Sequence, residues 1–376
     1  MASKSGRLGI DRRQFLTWSA AAVASAGLAP LLATGCGSSA PAAPTSAPAA
    51  SGAAAPAQKG STIELKLSHH EPATGRLGQA YQKWADNIGQ KSGGRLKITV
   101  FPSETLGKSN DAYNDVTGSV ADIAWVVPTF TPGQFPLSEM FNMPMIGIES
   151  SQMGSKVTWE WYTTNPTMQK EWSNVKVLTG FCNGPFVLGT KKPVRKLEDV
   201  AALKLRAAGF GGTNYTKAIN ASPVNVNPPD IYESMSKGIL DGYFWDWQAI
   251  ASNRLYEVSS YWVDMTIWNG YNTLVMNKGK WDSLPADLQK LIDDNAGGDL
   301  AQQLSAAFDA AKPEAADLIA KAKGEIVTFS PDEQARWKSL AKPVWNSWVE
   351  SVKGKLDGQA ELDKLLAIVQ KHATKK

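Results

Sequence analysis

Cysteine and histidine are scarce in this chain of 376 residues, which carries two of the first and three of the second. Cys36 falls in a candidate processing site, so Cys182 has no partner and no intramolecular disulfide is available even in an oxidising compartment. No cysteine pair for zinc exists, and His69, His70 and Glu71 are consecutive, so they cannot converge as a two-histidine, one-carboxylate site. No metal and no cofactor is expected. Also missing are His-Glu-x-x-His, Gly-x-Ser-x-Gly and the phosphate-cradling Gly-x-x-x-x-Gly-Lys-Ser. A catalytic constellation need not be local in sequence, so this absence points away from an enzyme without excluding one. No basic run or stripe is present outside the first residues, which argues against nucleic acid as a partner. No repeat of 20–50 residues recurs, which argues against a solenoid or propeller.

Long apolar runs are confined to the N-terminus. Asp11-Arg12-Arg13-Gln14-Phe15-Leu16 opens a stretch rich in Ala and Gly that ends at Ala33-Thr34-Gly35-Cys36. Paired arginines before a short apolar run read as a twin-arginine export signal over residues 1–35. The small residues before Cys36 read as a lipoprotein cleavage site, with Cys36 the lipidated first residue; an uncleaved membrane anchor is the alternative. Removing 1–35 takes Lys4, Arg7, Arg12, Arg13 and Asp11, leaving 35 basic and 34 acidic groups, a net of +1. Residues 36–60 are almost entirely Ala, Pro, Ser, Gly and Thr, too poor in apolar surface to fold, and read as a lipid-anchored linker. A flexible coil of that length spans about 25–30 Å. An address on the outer face of the cell membrane follows.

The remaining chain, from about Ser61, is long enough for two lobes. Thr62–Ser68 alternates with period two and reads as a strand; Leu77, Tyr81, Trp84 and Ile88 recur at helical spacing until Gly93-Gly94. Leu96–Phe101 alternates again, a helix is expected from Asp111, and Val120–Val127 is an apolar strand buried on both faces. Strand and helix alternating in this way imply an α/β fold with a largely parallel sheet. Further strands are expected at 175–181, 203–207, 223–226 and 273–277, the last returning to the first lobe. After Trp281 the chain turns helical. The expected division is a first lobe of 61–183 joined by 272–311, and a second of 184–271 joined by the C-terminal helices of 312–376. The whole is a two-lobed binding-protein fold.

Arg206 is the principal candidate for chemistry. It ends a short strand, and ligands in open α/β sheets bind beyond the carboxyl ends of strands. Its guanidinium matches a carboxylate bidentately; a structural arginine paired with an acid of the same chain is the competing reading. Asp241–Trp247 is the second candidate, because a strand there would send Tyr243, Trp245 and Trp247 to one face, either as core or as an aromatic ligand box. Trp125 ends an interior strand, and His69, His70 and Glu71 follow the first strand directly, so these too fall at carboxyl ends. Gly209-Phe210-Gly211-Gly212 lacks a following Lys-Ser and reads as a flexible turn beside a ligand. Asn183, Phe186 and Asp246 complete the candidate ligand-binding set.

Several motifs recur in order: Gly93-Gly94-Arg95-Leu96-Lys97-Ile98, then Phe101-Pro102-Ser103-Glu104-Thr105-Leu106-Gly107, then Gly118-Ser119-Val120-Ala121-Asp122-Ile123. Leu197-Glu198-Asp199-Val200 leads to Lys204-Leu205-Arg206, Ile231-Tyr232-Glu233-Ser234-Met235 to Asp241-Gly242, and Met276-Asn277 to Trp281-Asp282-Ser283-Leu284-Pro285. In this order the chain from Leu65 to about Val352 resembles the solute-binding proteins of tripartite ATP-independent periplasmic (TRAP) transporters, dicarboxylate-receptor type. The resemblance implies a receptor, expected as a monomer, that closes on an organic acid and delivers it to the membrane subunits of a permease. It also implies that Arg206 pairs with the substrate carboxylate. Sialic-acid members place a second arginine where this chain has Asn183-Gly184-Pro185-Phe186, and an asparagine where it has Phe244-Trp245. Keto-acid members have a glutamate at the position of Phe244, which weakens the case for a bound cation here. Polar partners lost and Phe186, Trp245 and Trp247 gained point to a monocarboxylate with an apolar or aromatic body. A receptor for an ATP-driven permease or a sensor, and an enzyme using His69 or His70 with Glu71 or Asp246, are the competing functions.

Overall fold

The structure is a computed structural model and describes residues 61–373. The expected signal, Cys36 and the linker lie outside the described residues. Two sheets organise the fold. The first has the order β2-β1-β3-β10-β4, from Leu96–Phe101, Ile63–Ser68, Ile123–Val126, Tyr271–Asn277 and Val175–Cys182. The second has the order β11-β9-β5-β8-β6-β7, from Glu325–Val327, Tyr261–Trp268, Phe186–Thr190, Gly242–Asp246, Lys204–Arg206 and Ser222–Val224.

Local patterning accounts for most of these elements. In β1 the alternation puts Leu65 and Leu67 fully in the core, and the helix Arg76–Lys91 buries Leu77, Tyr81, Trp84 and Ile88 on one face against them. That helix ends where Gly93 and Gly94 take φ of +65° and +80°, values that carry no penalty without a Cβ. All four residues of β3 are buried, as expected of a strand covered on both faces.

The sheets are more mixed than the strand–helix alternation predicts. β1 runs parallel to β2 and β3, but β10 is antiparallel to both β3 and β4. In the second sheet β6 is parallel to β7 and β8, whereas β5 is antiparallel to β8 and β9. The cause is the crossing of the chain. β4 passes to β5 through residues 183–185, and β9 passes to β10 through residues 269–270, so each sheet receives a strand that enters against the grain. The two crossing segments are tied together: the Gly270 N–H donates to Asn183 Oδ1 at 2.6 Å, and the Asn183 N–H donates to the Gly270 carbonyl at 3.2 Å.

The C-terminal section does not stay with one sheet. The helix Ala311–Lys321 packs against Trp247–Ser252 and β11, but the final helix Gly358–Ala373 packs on Ser151–Thr164, which lies against β4 of the first sheet. The chain from Gly358 therefore departs from the expected grouping of 312–376 with the second lobe. Its buried face of Leu362, Leu365 and Val369 is the apolar stripe that packs there.

Candidate functional site

The carboxyl ends of β1, β3, β6 and β8 and both crossing segments converge on one cavity. It holds about 500 Å³ of space not filled by atoms, its open margin included, yet the centre of a water molecule can visit only about 30 Å³ of it. The cavity is a narrow slot. From the first lobe come His70 and Glu71, Trp125 and Val127, and Thr129, Phe130 and Asn142; from the second come Phe186, Arg206, Trp245 and Asp246. Asn183, Gly270 and Asn272 close it at the crossing strands, with Phe308 alongside.

Arg206 is 2 % exposed, and among the described residues its only hydrogen bond runs from Nε to the Val226 carbonyl at 3.3 Å. The guanidinium lies 4.6 Å from the Trp245 ring centroid and 5.9 Å from that of Phe130. Among the described residues no carboxylate comes within salt-bridge distance of it. Burial pulls its pKa down to about 10, with the Asp246 carboxyl pulling the other way, so it stays cationic at neutral pH. A buried cation resting on aromatic faces but lacking an anion is costly, because cation–π contact replaces only part of its hydration.

The acids nearby are not free to serve as that anion. Asp246 caps the helix Trp247–Ser252, its Oδ1 accepting from the Ala249 N–H at 2.9 Å. Burial raises its pKa to about 8, against the bond from Ala249 and with the repulsion of Glu71. Glu71, at the end of β1, crosses between the lobes: its Oε2 accepts from Gln248 Nε2 at 3.0 Å and Ser252 Oγ at 3.2 Å. Burial raises its pKa as well, while those two donors oppose the rise.

His70 stacks on Trp125 at 4.2 Å with Phe130 against its edge. Burial, His69 and Arg206 together hold its pKa down to about 3, so it is a neutral imidazole. Trp125 is oriented by Nε1 donating to Asn272 Oδ1 at 3.0 Å.

Of the ten residues expected from sequence to bind ligand, the cavity gathers Arg206, Trp245, Phe186, Trp125, His70, Asn183 and Asp246. Three are placed elsewhere. His69 points to the other side of the β1 end and stacks on Tyr81 at 5.1 Å. Trp247 is not on the face of Trp245, because β8 stops at Asp246 and Trp247 opens a helix; its ring lies 5.7 Å from Lys312 Nζ. Phe210 presents its N–H to Glu139 Oε2 at 3.3 Å and is no part of the cavity wall. The glycines around it are not a flexible turn. They form the first turn of the helix Gly209–Ala218, and a Cβ on Gly211 would meet the Asn142 carbonyl at 2.1 Å. Close backbone approach explains glycine there. Sequence reasoning misses Phe130, Asn142, Asn272 and Phe308; Pro128, just past the end of β3 and two residues before Phe130, is the one available signal.

Two lobes joined by crossing strands, with a cavity at the strand ends holding an unpaired cation, define a two-lobed solute receptor. The family model of the bacterial extracellular solute-binding proteins, family 7, matches residues 67–351, and the chain belongs to that family, the solute receptors of TRAP transporters. A TRAP solute-binding protein from Rhodoferax ferrireducens, solved with copurified benzoate, is similar at a TM-score of 0.79 and 27% identity over 83% of this chain and 99% of that one. A marine-metagenome TRAP protein specific for aromatic acid ligands, solved with 3-hydroxybenzoate, gives 0.79 and 26% over 83% and 99%. The C4-dicarboxylate-binding periplasmic protein DctP of Shewanella loihica is 22% identical over 301 residues, 77% of this chain and 86% of that one.

Proposed function

We propose that this receptor captures an aromatic monocarboxylate, delivers it to a TRAP permease and is not an enzyme. The observation that carries the reading is the buried guanidinium of Arg206, stacked on Trp245 and without an acid partner. A ligand carboxylate would complete it as a charge-assisted bidentate pair in a site poor in water. Phe130, Phe186, Trp125 and Trp245 would flank a flat body. The benzoate and 3-hydroxybenzoate of the two similar structures agree with this. A dicarboxylate fits less well: among the described residues Arg206 is the only arginine or lysine lining the slot, so a second acid group would find no charge partner there.

Capture follows from closure. Each lobe brings part of the wall, so only the closed form makes all the contacts, and ligand shifts the population towards it. The twin-arginine signal and Cys36 support tethering of the monomer by lipid to the outer face of the membrane, where the linker raises its local concentration near the permease. Thermal-shift screening of the full chain against aliphatic and aromatic mono- and dicarboxylates tests the substrate class. Aromatic monocarboxylates are expected to give the largest upward shifts; stabilisation only by dicarboxylates or by uncharged solutes would reject it.

A further inference from the structure

Resting on the aromatic-acid reading, we infer that His70 and Glu71 form a second anchor in the slot, which selects an aromatic acid carrying a ring hydroxyl over its unsubstituted parent. The two side chains are fixed by unrelated contacts. Trp125 and Phe130 hold the His70 ring, while Gln248 and Ser252 hold Glu71 through Oε2. Between them remains a gap: His70 Nε2 stands 3.9 Å from Glu71 Oε1, beyond hydrogen-bond reach. His70 Nδ1 has no hydrogen-bond partner either, although the residue is 7 % exposed. Buried polar groups without partners are uncommon and call for one.

A hydroxyl meets the chemistry of this gap. It donates and accepts at once, so it serves a neutral imidazole and a carboxyl in whichever protonation state Glu71 holds. A ligand carboxylate only accepts, and its charge matches the guanidinium, so the carboxylate is sorted to Arg206 and the hydroxyl to His70 and Glu71. The two anchors suit one small molecule, since Arg206 and His70 lie 5.9 and 5.7 Å from the same Phe130 ring centroid.

The test compares benzoate with 2-, 3- and 4-hydroxybenzoate by calorimetric titration of the full chain and of His70→Phe, Glu71→Gln and Gln248→Leu. One hydroxybenzoate is expected to bind the wild type about tenfold or more tighter than benzoate, as for a hydrogen bond to a charged or buried group. The ratio should fall to about twofold in the His70 and Glu71 variants, and part of the way in Gln248→Leu, which removes one of the two donors holding Glu71 and does not itself line the slot. Equal ratios in wild type and variants, or no hydroxyl preference in the wild type, overturn the inference while leaving the aromatic-acid reading in place. Failure of benzoate and all three hydroxybenzoates to bind the wild type overturns both.

Discussion

Tyr113, Phe135 and Trp172 in the first lobe and His70, Trp125, Phe130 and Trp245 at the slot are clusters of the same residue types with opposite polar accounts. In the first, Phe135 and Trp172 stack at 4.2 Å with planes 5° apart, and Tyr113 meets both edge-on. Trp172 Nε1 donates to Ser138 Oγ at 3.0 Å, and that hydroxyl donates to Glu171 Oε1 at 2.6 Å. The N–H groups of Leu137 and Ser138 donate to the same carboxyl. Every polar atom named there has a partner within the chain. At the slot, Arg206 lacks an anion and His70 Nδ1 lacks any partner. Aromatic content does not separate core from site. The unpaired buried charge of Arg206 does.

The sharpest way to break this contrast is to remove the unmet group. Arg206→Ala is expected to weaken aromatic acid binding by about a hundred- to several-thousandfold, the cost of leaving one partner of a buried pair alone. Its unfolding midpoint without ligand should not fall, because no internal ion pair is lost. Unchanged affinity in a titration would dissolve the distinction. Trp172→Ala should do the reverse, costing about 3–5 kcal/mol of stability in urea unfolding, with affinity at low temperature little changed. A large loss of affinity with stability preserved would place Trp172 in the site instead.

The smallest effect concerns Glu171. Burial raises its pKa to about 7 from 4.5, while the bonds from Ser138 and Leu137 oppose the rise. Between those values the folded form holds a proton that the unfolded chain has shed, so the contribution is full below about 4.5 and is lost as pH rises through about 7. Asp246, raised to about 8, acts in the same direction. Unfolding free energy should therefore fall from pH 5 to pH 8, by roughly 2 kcal/mol from Glu171 alone at 1.36 kcal/mol per unit. Glu171→Gln should flatten that slope; an identical slope in both proteins would show the carboxyl ionised throughout.

Much of this arrangement is legible in the sequence where its cause is local. The period of two in Ile63–Ser68, the helical spacing from Leu77 to Ile88 and the position of Arg206 at a strand end each depend on neighbouring residues. A strand running on through Trp247 would set that ring beside Trp245, but β8 ends one residue earlier. Asp246 is a good helix N-cap, and reading it as one would have ended the strand there. Phe130, Asn142, Asn272 and Phe308 belong to the slot only through the crossing of β4 to β5 and β9 to β10, which no local pattern records. The glycines at 209, 211 and 212 are explained by Thr129, Asn142 and Trp268, residues distant in sequence.

The most direct trial of the central claim is a crystal structure of the protein with bound benzoate. The account predicts both carboxylate oxygens on the Arg206 guanidinium nitrogens at about 2.7–2.9 Å, with the ring between the aromatic walls of the slot. Benzoate in the slot with its carboxylate turned away, and Arg206 bonded instead to Asp246, would contradict it.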